Sequence, residues 1–395
     1  MSRCLSYGRQ WIFEEDIEAV SNVLRSDMLT QGPEVRAFEE DLCSLTGARA
    51  CVCVSNGTSA LYVAARAMDI GIHDTIVTTP LTFCASANAF AICGARVDFV
   101  DIDADTMCLD PEALYGYIKQ NGPPAAVVVV DFAGVAADLS SIYTLAREYG
   151  FYVVEDAAHS IGTTYSCEDK QIPCGACIHS DIAIFSFHPV KNITSAEGGA
   201  ILSNNEELSE KFSVFANHGI IRDEADFKTD PLPGHGWYYE LQELSLNFRM
   251  SDLHAALGRS QLKKLPLFKK RRQKLFSAYM EELAPLEALG MIKLPKWPKE
   301  QDPCFHLFVI RVMGDRSRQL LYDRLREEGI CPQVHYWPVH LQPYYINHCK
   351  VGAVTDCKIS EEVANSCISL PFFASMDTSD VHFVCTKLKK ILAAL

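Results

Sequence analysis

The sequence predicts an α/β protein, with a mostly parallel central sheet and a smaller C-terminal α+β domain. Three observations carry that reading. Short β-branched runs alternate with helix-like stretches over the first two thirds of the chain. The runs are continuously apolar, as strands are when helices cover both faces of a sheet. From about Met250 the alternation gives way to longer helical stretches. At 395 residues the chain fits two unequal domains, read here as a large one over 1–249 and a small one over 250–395.

In chain order, Ile17, Val20 and Leu24 recur at helical spacing behind the acidic turn Glu14-Glu15-Asp16. Val35, Phe38, Leu42 and Leu45 repeat the pattern, and Gly47 is placed to end that helix. Strand-like runs follow at 51–54, 75–79, 97–100, 126–130 and 151–154, separated by helical stretches at 59–68, 111–119 and 140–148. Two more runs, 182–186 and 199–203, extend the same sheet. A connection rich in Gly, Pro and Asp spans 223–240. One long helix is expected over 252–282, its basic cluster Lys263, Lys264 and 269–272 forming a solvated face. A strand at 306–312 and helices at 318–328 and 379–395 complete the small domain.

Composition excludes several classes. With 48% hydrophobic and 22% charged residues the chain is an ordinary folded protein. A net charge of -14 argues against non-specific nucleic-acid binding, which needs a cationic footprint. No apolar run reaches membrane-spanning length, and the first residues lack the order of a signal peptide, so a cytoplasmic protein is expected. The 16 cysteines are scattered through predicted strands and helices (Cys51, Cys53, Cys93, Cys385) and read as reduced, buried thiols. Cys174 and Cys177 form a C-x-x-C pair with Cys167 upstream and His179 nearby. A zinc site needs two more well-spaced ligands, so these too read as structural and no metal is expected.

Four segments carry chemistry. Ser55-Asn56-Gly57-Thr58-Ser59 leaves a strand and opens a helix, where small residues and unpaired N–H groups form an anion site or a plain cap. Neither a phosphate loop of NTPases nor a dinucleotide fingerprint is present. Glu155-Asp156-Ala157-Ala158-His159 ends a strand, and a carboxylate there can cap a helix or keep a pyridine nitrogen protonated. In Ser186-Phe187-His188-Pro189-Val190-Lys191-Asn192, followed by Glu197-Gly198-Gly199, a lysine follows an apolar strand and precedes the next. A lysine pointed inward there has a lowered pKa and is a nucleophilic amine. The fourth segment, Ser245 to Met250 with Asp252, reads by itself as a loop and cap.

In this order and spacing the segments resemble the DegT/DnrJ/EryC1/StrS family of nucleotide-sugar aminotransferases, from Leu29-Thr30-Gln31-Gly32-Pro33 to Ser369-Leu370-Pro371. The Ser-Phe-His-x-x-Lys stretch with its Glu-Gly-Gly tail is the most specific part. The resemblance implies a fold-type I, aspartate aminotransferase-like architecture that binds pyridoxal 5′-phosphate (PLP), working as a homodimer with active sites at the subunit interface. By the same resemblance Lys191 matches the Schiff-base lysine, Asp156 the partner of the pyridinium nitrogen, and His159 the neighbour of the phenolic oxygen. Gly57, Thr58, Ser59 and Ser186 match phosphate contacts, Phe83 the ring-stacking aromatic, and Asn247 a residue reaching the phosphate from the neighbouring subunit.

Tyr7, the stretch 239–243 and the stretch 333–342 resemble the pseudaminic-acid branch of the family. That likeness implies transfer of the amino group of L-glutamate to the C4 keto group of a UDP-linked 4-keto-6-deoxy-N-acetyl-hexosamine. Tyr7, Asp27, Met28, Leu29, Thr30, His188, His335, Tyr336, Trp337 and Pro338 would line the sugar-nucleotide site. Cys84 and the long Cys-rich stretch 167–177 depart from the family pattern. Other readings stay open: the same chemistry on an arabinose-modification or perosamine-type sugar, or a non-catalytic PLP- or sugar-binding regulator on the same fold. The family's dehydratase subgroup carries His where this chain carries Lys191.

Overall fold

Seven of the apolar runs become the strands of one sheet: β1 (Ala50–Val54), β2 (Thr75–Thr78), β3 (Arg96–Phe99), β4 (Ala126–Val130), β5 (Tyr152–Asp156), β6 (Ile182–Ser186) and β7 (Gly199–Ser203). The structure is a computed structural model and describes residues 5–229, 236–348 and 356–394. Spatial order is β1-β7-β6-β5-β4-β2-β3. Every pair among β3, β2, β4, β5 and β6 is parallel, whereas β7 runs antiparallel to both β6 and β1. The reversal follows from the connection: no helix lies between β6 and β7, so the chain cannot cross back to restart in parallel. All five residues of central β4 are buried, as its unbroken Ala126–Val130 run requires.

Helices cover both faces. Four described helices, Ala85–Ile92, Glu206–Ala216, Pro343–His348 and Lys358–Ser366, are absent from the sequence reading. Ala85–Ile92 is apolar on nearly every side and buries most of its residues, so no amphipathic stripe marks it. A small antiparallel sheet, β8 (Ile292–Lys293), β9 (Phe308–Val312) and β10 (Cys367–Leu370), forms the C-terminal core with Leu275, Phe276 and Tyr279. Leu5–Ser6 crosses over to pair in parallel with Ile330–Cys331.

The single helix expected over 252–282 is two, Asp252–Leu262 and Leu265–Ala288. Pro266 is the cause: it lacks an N–H and clashes with the carbonyl four residues back, yet is harmless in the first turn of a new helix. Nor is the basic cluster a solvated face. Lys264 Nζ sits 2.8 Å from buried Asp16, and Arg272 is 1% exposed. Within 223–240 the described residues form the turn Glu224–Asp226 and the strand Glu240–Leu241, paired with Ile220–Ile221; positions 230–235 lie outside the described residues. Thirteen described cysteines are free, as expected, but Cys331 is disulfide-bonded. Cys174 and Cys177 are buried. Sγ of Cys174 lies within 4.8 Å of carboxylate oxygens of Asp131 and Glu155, whose four oxygens accept from Ala137 N, Ser160 Oγ, Gly175 N and Ser180 Oγ. No described helix is long and apolar enough to cross a membrane.

Two helices are capped by carboxylates far away in sequence. Pro33–Thr46 has Gly32 as its N-cap and no side-chain cap, and Asp252, fully buried, accepts from the N–H groups of Gly32 and Glu34 at 2.8 Å each. Lys358–Ser366 likewise lacks its own cap. Asp101 accepts there from Ile359 N and Ser360 N at 2.8 Å and from Ser360 Oγ at 2.6 Å. A buried carboxylate on first-turn N–H groups satisfies orphan donors and complements the helix dipole. Asp101→Ala should therefore lower stability by about 2 kcal/mol. Urea unfolding checks it: the midpoint should fall at unchanged slope, and an unmoved midpoint would refute the capping role.

Candidate active site

Strands β1, β5 and β6 deliver three of the four chemical segments to one cavity of about 500 Å³. At the end of β1, Asn56 caps the helix Gly57–Ala67, its Oδ1 accepting from Ser59 N at 2.8 Å and from Ser59 Oγ at 3.0 Å. Gly57 and Thr58 then face the cavity with first-turn N–H groups that have no intrahelical partner. Ser59 is turned into its cap and lies outside the lining. The glycines here answer a close approach of backbones. A Cβ on Gly199 would stand 2.5 Å from the carbonyl of Asn56, and one on Gly57 2.9 Å from Ser186 Cβ. Ser186, at the end of β6, lines the same corner. Together these form an anion site with a helix N-terminus behind it.

Across the cavity stands Lys191. Burial pushes its amine down to about 8, against the pull of the Asp156 carboxylate. Asp156, 5% exposed at the end of β5, is raised by burial, opposed by Ser86 and by Lys191. Ser86 Oγ donates to its Oδ2 at 2.7 Å, and Ala158 N donates to Oδ1 at 3.3 Å. The carboxylate is thus oriented by the protein on one side and open to the cavity on the other.

His159 is held neutral by burial and by Lys191 and His335 nearby. Ala133 N–H donates to its Nδ1 at 3.3 Å, so the ring proton sits on Nε2, 3.2 Å from the Tyr336 hydroxyl. Ala133 takes φ 57 to present that N–H while its carbonyl accepts from His306 N at 2.7 Å. Next to it Gly134 has φ 93, and a Cβ there would stand 2.6 Å from the Cys304 carbonyl. His306 packs 4.5 Å from His159, and both His306 and His335 are pushed down by burial, His335 to about 3. His335 Nδ1 lies 2.8 Å from Ser369 Oγ. Three imidazoles and the Tyr336 ring therefore wall the cavity without adding charge.

The structure brings Lys191, Asp156, His159, Gly57, Thr58, Ser186, Phe83, Tyr7, His188, His335 and Tyr336 to this cavity. It does not bring Ser59, Asn247, Trp337, Pro338 or the stretch 27–30 into its lining. Asn247, Trp337 and all four residues of 27–30 are exposed, and Pro338 is buried elsewhere. Phe83, 58% exposed, stands at the mouth with its ring 6.4 Å from that of Tyr336. Sequence reasoning did not single out Ser86 or His306, and it took Asn56, Glu197 and Gln333 only as parts of longer segments. Ser86 sits on the unrecognised helix. His306 reads in sequence only as the start of an apolar strand.

An amine, a buried carboxylate and an anion-binding helix start, gathered around one cavity with aromatic walls, are the set that an aldehyde-bearing pyridine phosphate needs. The residues fit PLP. Comparison with known proteins agrees. A model of the DegT/DnrJ/EryC1/StrS aminotransferase family matches residues 10–389. Among solved structures, Helicobacter pylori PseC, an aminotransferase involved in the biosynthesis of pseudoaminic acid, is 28% identical over 100% of both chains, with a TM-score of 0.86. The PLP-form of Spr1654 from Streptococcus pneumoniae is 26% identical over 99% of both chains, with a TM-score of 0.87. S. venezuelae DesV is 29% identical over 96% of this chain and 94% of its own, with a TM-score of 0.83. The chain belongs to the DegT/DnrJ/EryC1/StrS aminotransferase family, and is a sugar aminotransferase that works with pyridoxal 5′-phosphate.

Proposed function

We propose that this enzyme moves the amino group of L-glutamate to the C4 keto carbon of a UDP-linked 4-keto-6-deoxy-N-acetyl-hexosamine, as in pseudaminic acid biosynthesis. The observation that carries the chemistry is the convergence of Lys191, Asp156 and His159 on one cavity beside the Gly57–Ala67 helix start. The sugar rests on likeness to PseC and on Tyr7, His188, His335 and Tyr336 standing around that cavity.

Bound PLP supplies an electron sink for the substrate's reacting carbon and carries the amino group between donor and acceptor. In this reading Lys191 Nζ holds the cofactor and, once displaced by the donor amine, takes and returns the proton at that carbon. Asp156 keeps the pyridine nitrogen protonated. His159 would stand by the phenolic oxygen, its Nε2 carrying the ring proton. Gly57, Thr58 and Ser186 would hold the phosphate at the helix start, Ser59 bracing that turn through its bonds to Asn56, and Phe83 would close over the ring. Asn247, together with residues 27–30, Trp337 and Pro338, reaches the site of a second copy, which makes the enzyme a homodimer. That assignment is supported by the exposure of Asn247, Trp337 and residues 27–30 in the single chain, and by the exposed apolar side chains Leu24, Leu241, Leu244 and Leu246 close to them in sequence. The proposed location is the cytoplasm.

Lys191→Ala should abolish the visible absorbance of bound cofactor and lower turnover on the order of 10³-fold; a variant that transaminates at the wild-type rate refutes the assignment. The depressed amine fixes a pH dependence. It is mostly cationic below about 8 and mostly a free nucleophile above, so PLP uptake by apoenzyme should reach half its maximum near pH 8 and level off about one unit higher. An uptake rate still climbing toward the pKa of an ordinary lysine, about 10.4, would contradict the burial argument. The substrate is tested with a panel of 4-keto UDP sugars and glutamate, reading the stereochemistry of the product. Preference for an arabinose- or perosamine-type sugar would move the enzyme to another branch. Failure of glutamate to convert bound PLP to pyridoxamine phosphate would favour the regulator reading.

A further inference from the structure

Away from the cofactor cavity, one free thiol stands against an oriented imidazole. The hairpin Thr164–Cys167 and Lys170–Pro173 turns through only two residues, Glu168 and Asp169. Both take the left-handed conformation that such a tight turn requires, with φ 48 and φ 62. Side chains alternate along a strand, so Tyr165 and Cys167 share one face of the hairpin. His179 meets both. Its Nδ1 lies 2.9 Å from the Tyr165 hydroxyl, and its Nε2 lies 3.8 Å from Cys167 Sγ. The rings of Tyr165 and Tyr143 stand 5.8 and 5.9 Å from the imidazole, and Ser140 Oγ lies 3.7 Å from the same sulfur.

This pairing sets Cys167 apart from the other thiols. Nine of the thirteen described free cysteines are buried, and Cys43, Cys84, Cys93 and Cys167 are half-buried. The Cys43 thiol is pushed up by its bond to the Cys51 thiol and by burial. Burial pushes up the Cys93 thiol, which donates to the Ala89 carbonyl of its own helix at 3.4 Å. Of the four, Cys167 alone has an imidazole nitrogen against its sulfur. A thiol becomes a nucleophile when a base takes its proton, and the base serves best when a third group fixes its ring. Tyr165 is that third group. Burial pushes the His179 imidazole down, against the pull of Asp138 and Glu168, so at neutral pH the ring is uncharged and able to accept a proton.

We propose that Cys167 is a thiol–disulfide exchange site, with His179 Nε2 as the base and small disulfides as the substrates. With the ring proton on Nδ1, donated to the Tyr165 oxygen, Nε2 takes the Cys167 proton as Sγ attacks one sulfur of the disulfide. A new bond joins Sγ to that sulfur, and the original S–S bond breaks. The departing thiolate recovers the proton from His179 and leaves as a thiol. Cys167 is oxidised, the departing half is reduced, and the disulfide is the only oxidant needed. Glu168, Asp169 and Lys170 are exposed beside Cys167, so the incoming molecule meets a surface turn. None of these residues lines the cofactor cavity, and the site is independent of the sugar and of Lys191.

The test is peptide mass mapping of the holoenzyme during incubation with 2-hydroxyethyl disulfide, an uncharged probe, at neutral pH. Cys167 should carry the first adduct, at a rate at least about tenfold above those of Cys43, Cys84 and Cys93. His179→Ala should slow that adduct by about tenfold or more. Imidazole added to the buffer should restore part of the lost rate, since the substitution leaves room for a free base. Modification of Cys167 no faster than that of the other three thiols overturns the site. A wild-type rate in His179→Ala, or a slow rate that imidazole does not raise, overturns the role of His179 as the base.

Discussion

Removing the Lys191 amine from bulk water, with the Asp156 carboxylate as the charge opposing that loss, sets the terms for the rest of this molecule. Either group alone in an apolar interior would give up its charge. Together they remain a usable acid–base pair because each offsets part of the other's desolvation. The arrangement demands a scaffold that places two residues, 35 positions apart, one ending β5 and the other in the loop after β6, at the same end of a sheet. A parallel β5–β6 pairing does so, since both strands then finish on the same edge.

The other polar walls obey the same constraint. Three imidazoles stand close to a lysine, and a further proton on any of them would repel the amine. Burial keeps them neutral; the Ala133 N–H donates to His159, the Ser369 hydroxyl pairs with His335 Nδ1, and His306 packs against the His159 ring. The backbone bears the cost. Ala133 adopts a left-handed conformation, and Gly134 and Gly199 occupy points where any side chain would strike a neighbouring main chain. These positions matter for what they exclude as much as for what they touch.

Much of the lining expected from the family resemblance lies on the outside of a single chain. Residues 27–30, Asn247 and Trp337 are exposed, and Phe83 is open at the mouth. An enzyme that excludes water during proton transfer cannot leave this side bare, which accords with the proposed homodimer. Far-reaching caps serve the same economy of placement. Asp252 ties the start of Pro33–Thr46 to the first helix of the C-terminal region, and Asp101 ties the start of Lys358–Ser366 to the edge of the large sheet.

Local chemistry made a good part of this legible from the sequence alone. Short, largely apolar runs located all seven strands of the main sheet, because strands covered on both faces carry few polar positions. The Ser186–Lys191 and Glu155–His159 segments declared themselves as strand-end chemistry, and family likeness supplied the cofactor. Tertiary structure decided what depends on distant partners. It turned Lys264 and Arg272 inward and added Ser86 and His306 to the site, whereas the reversed β7, the helix split at Pro266 and the capping of Ser59 by Asn56 have causes close by in the chain. Those four placements leave no periodic signal, since burial and hydrogen bonding to a residue a hundred positions away change a side chain's environment without changing the pattern around it.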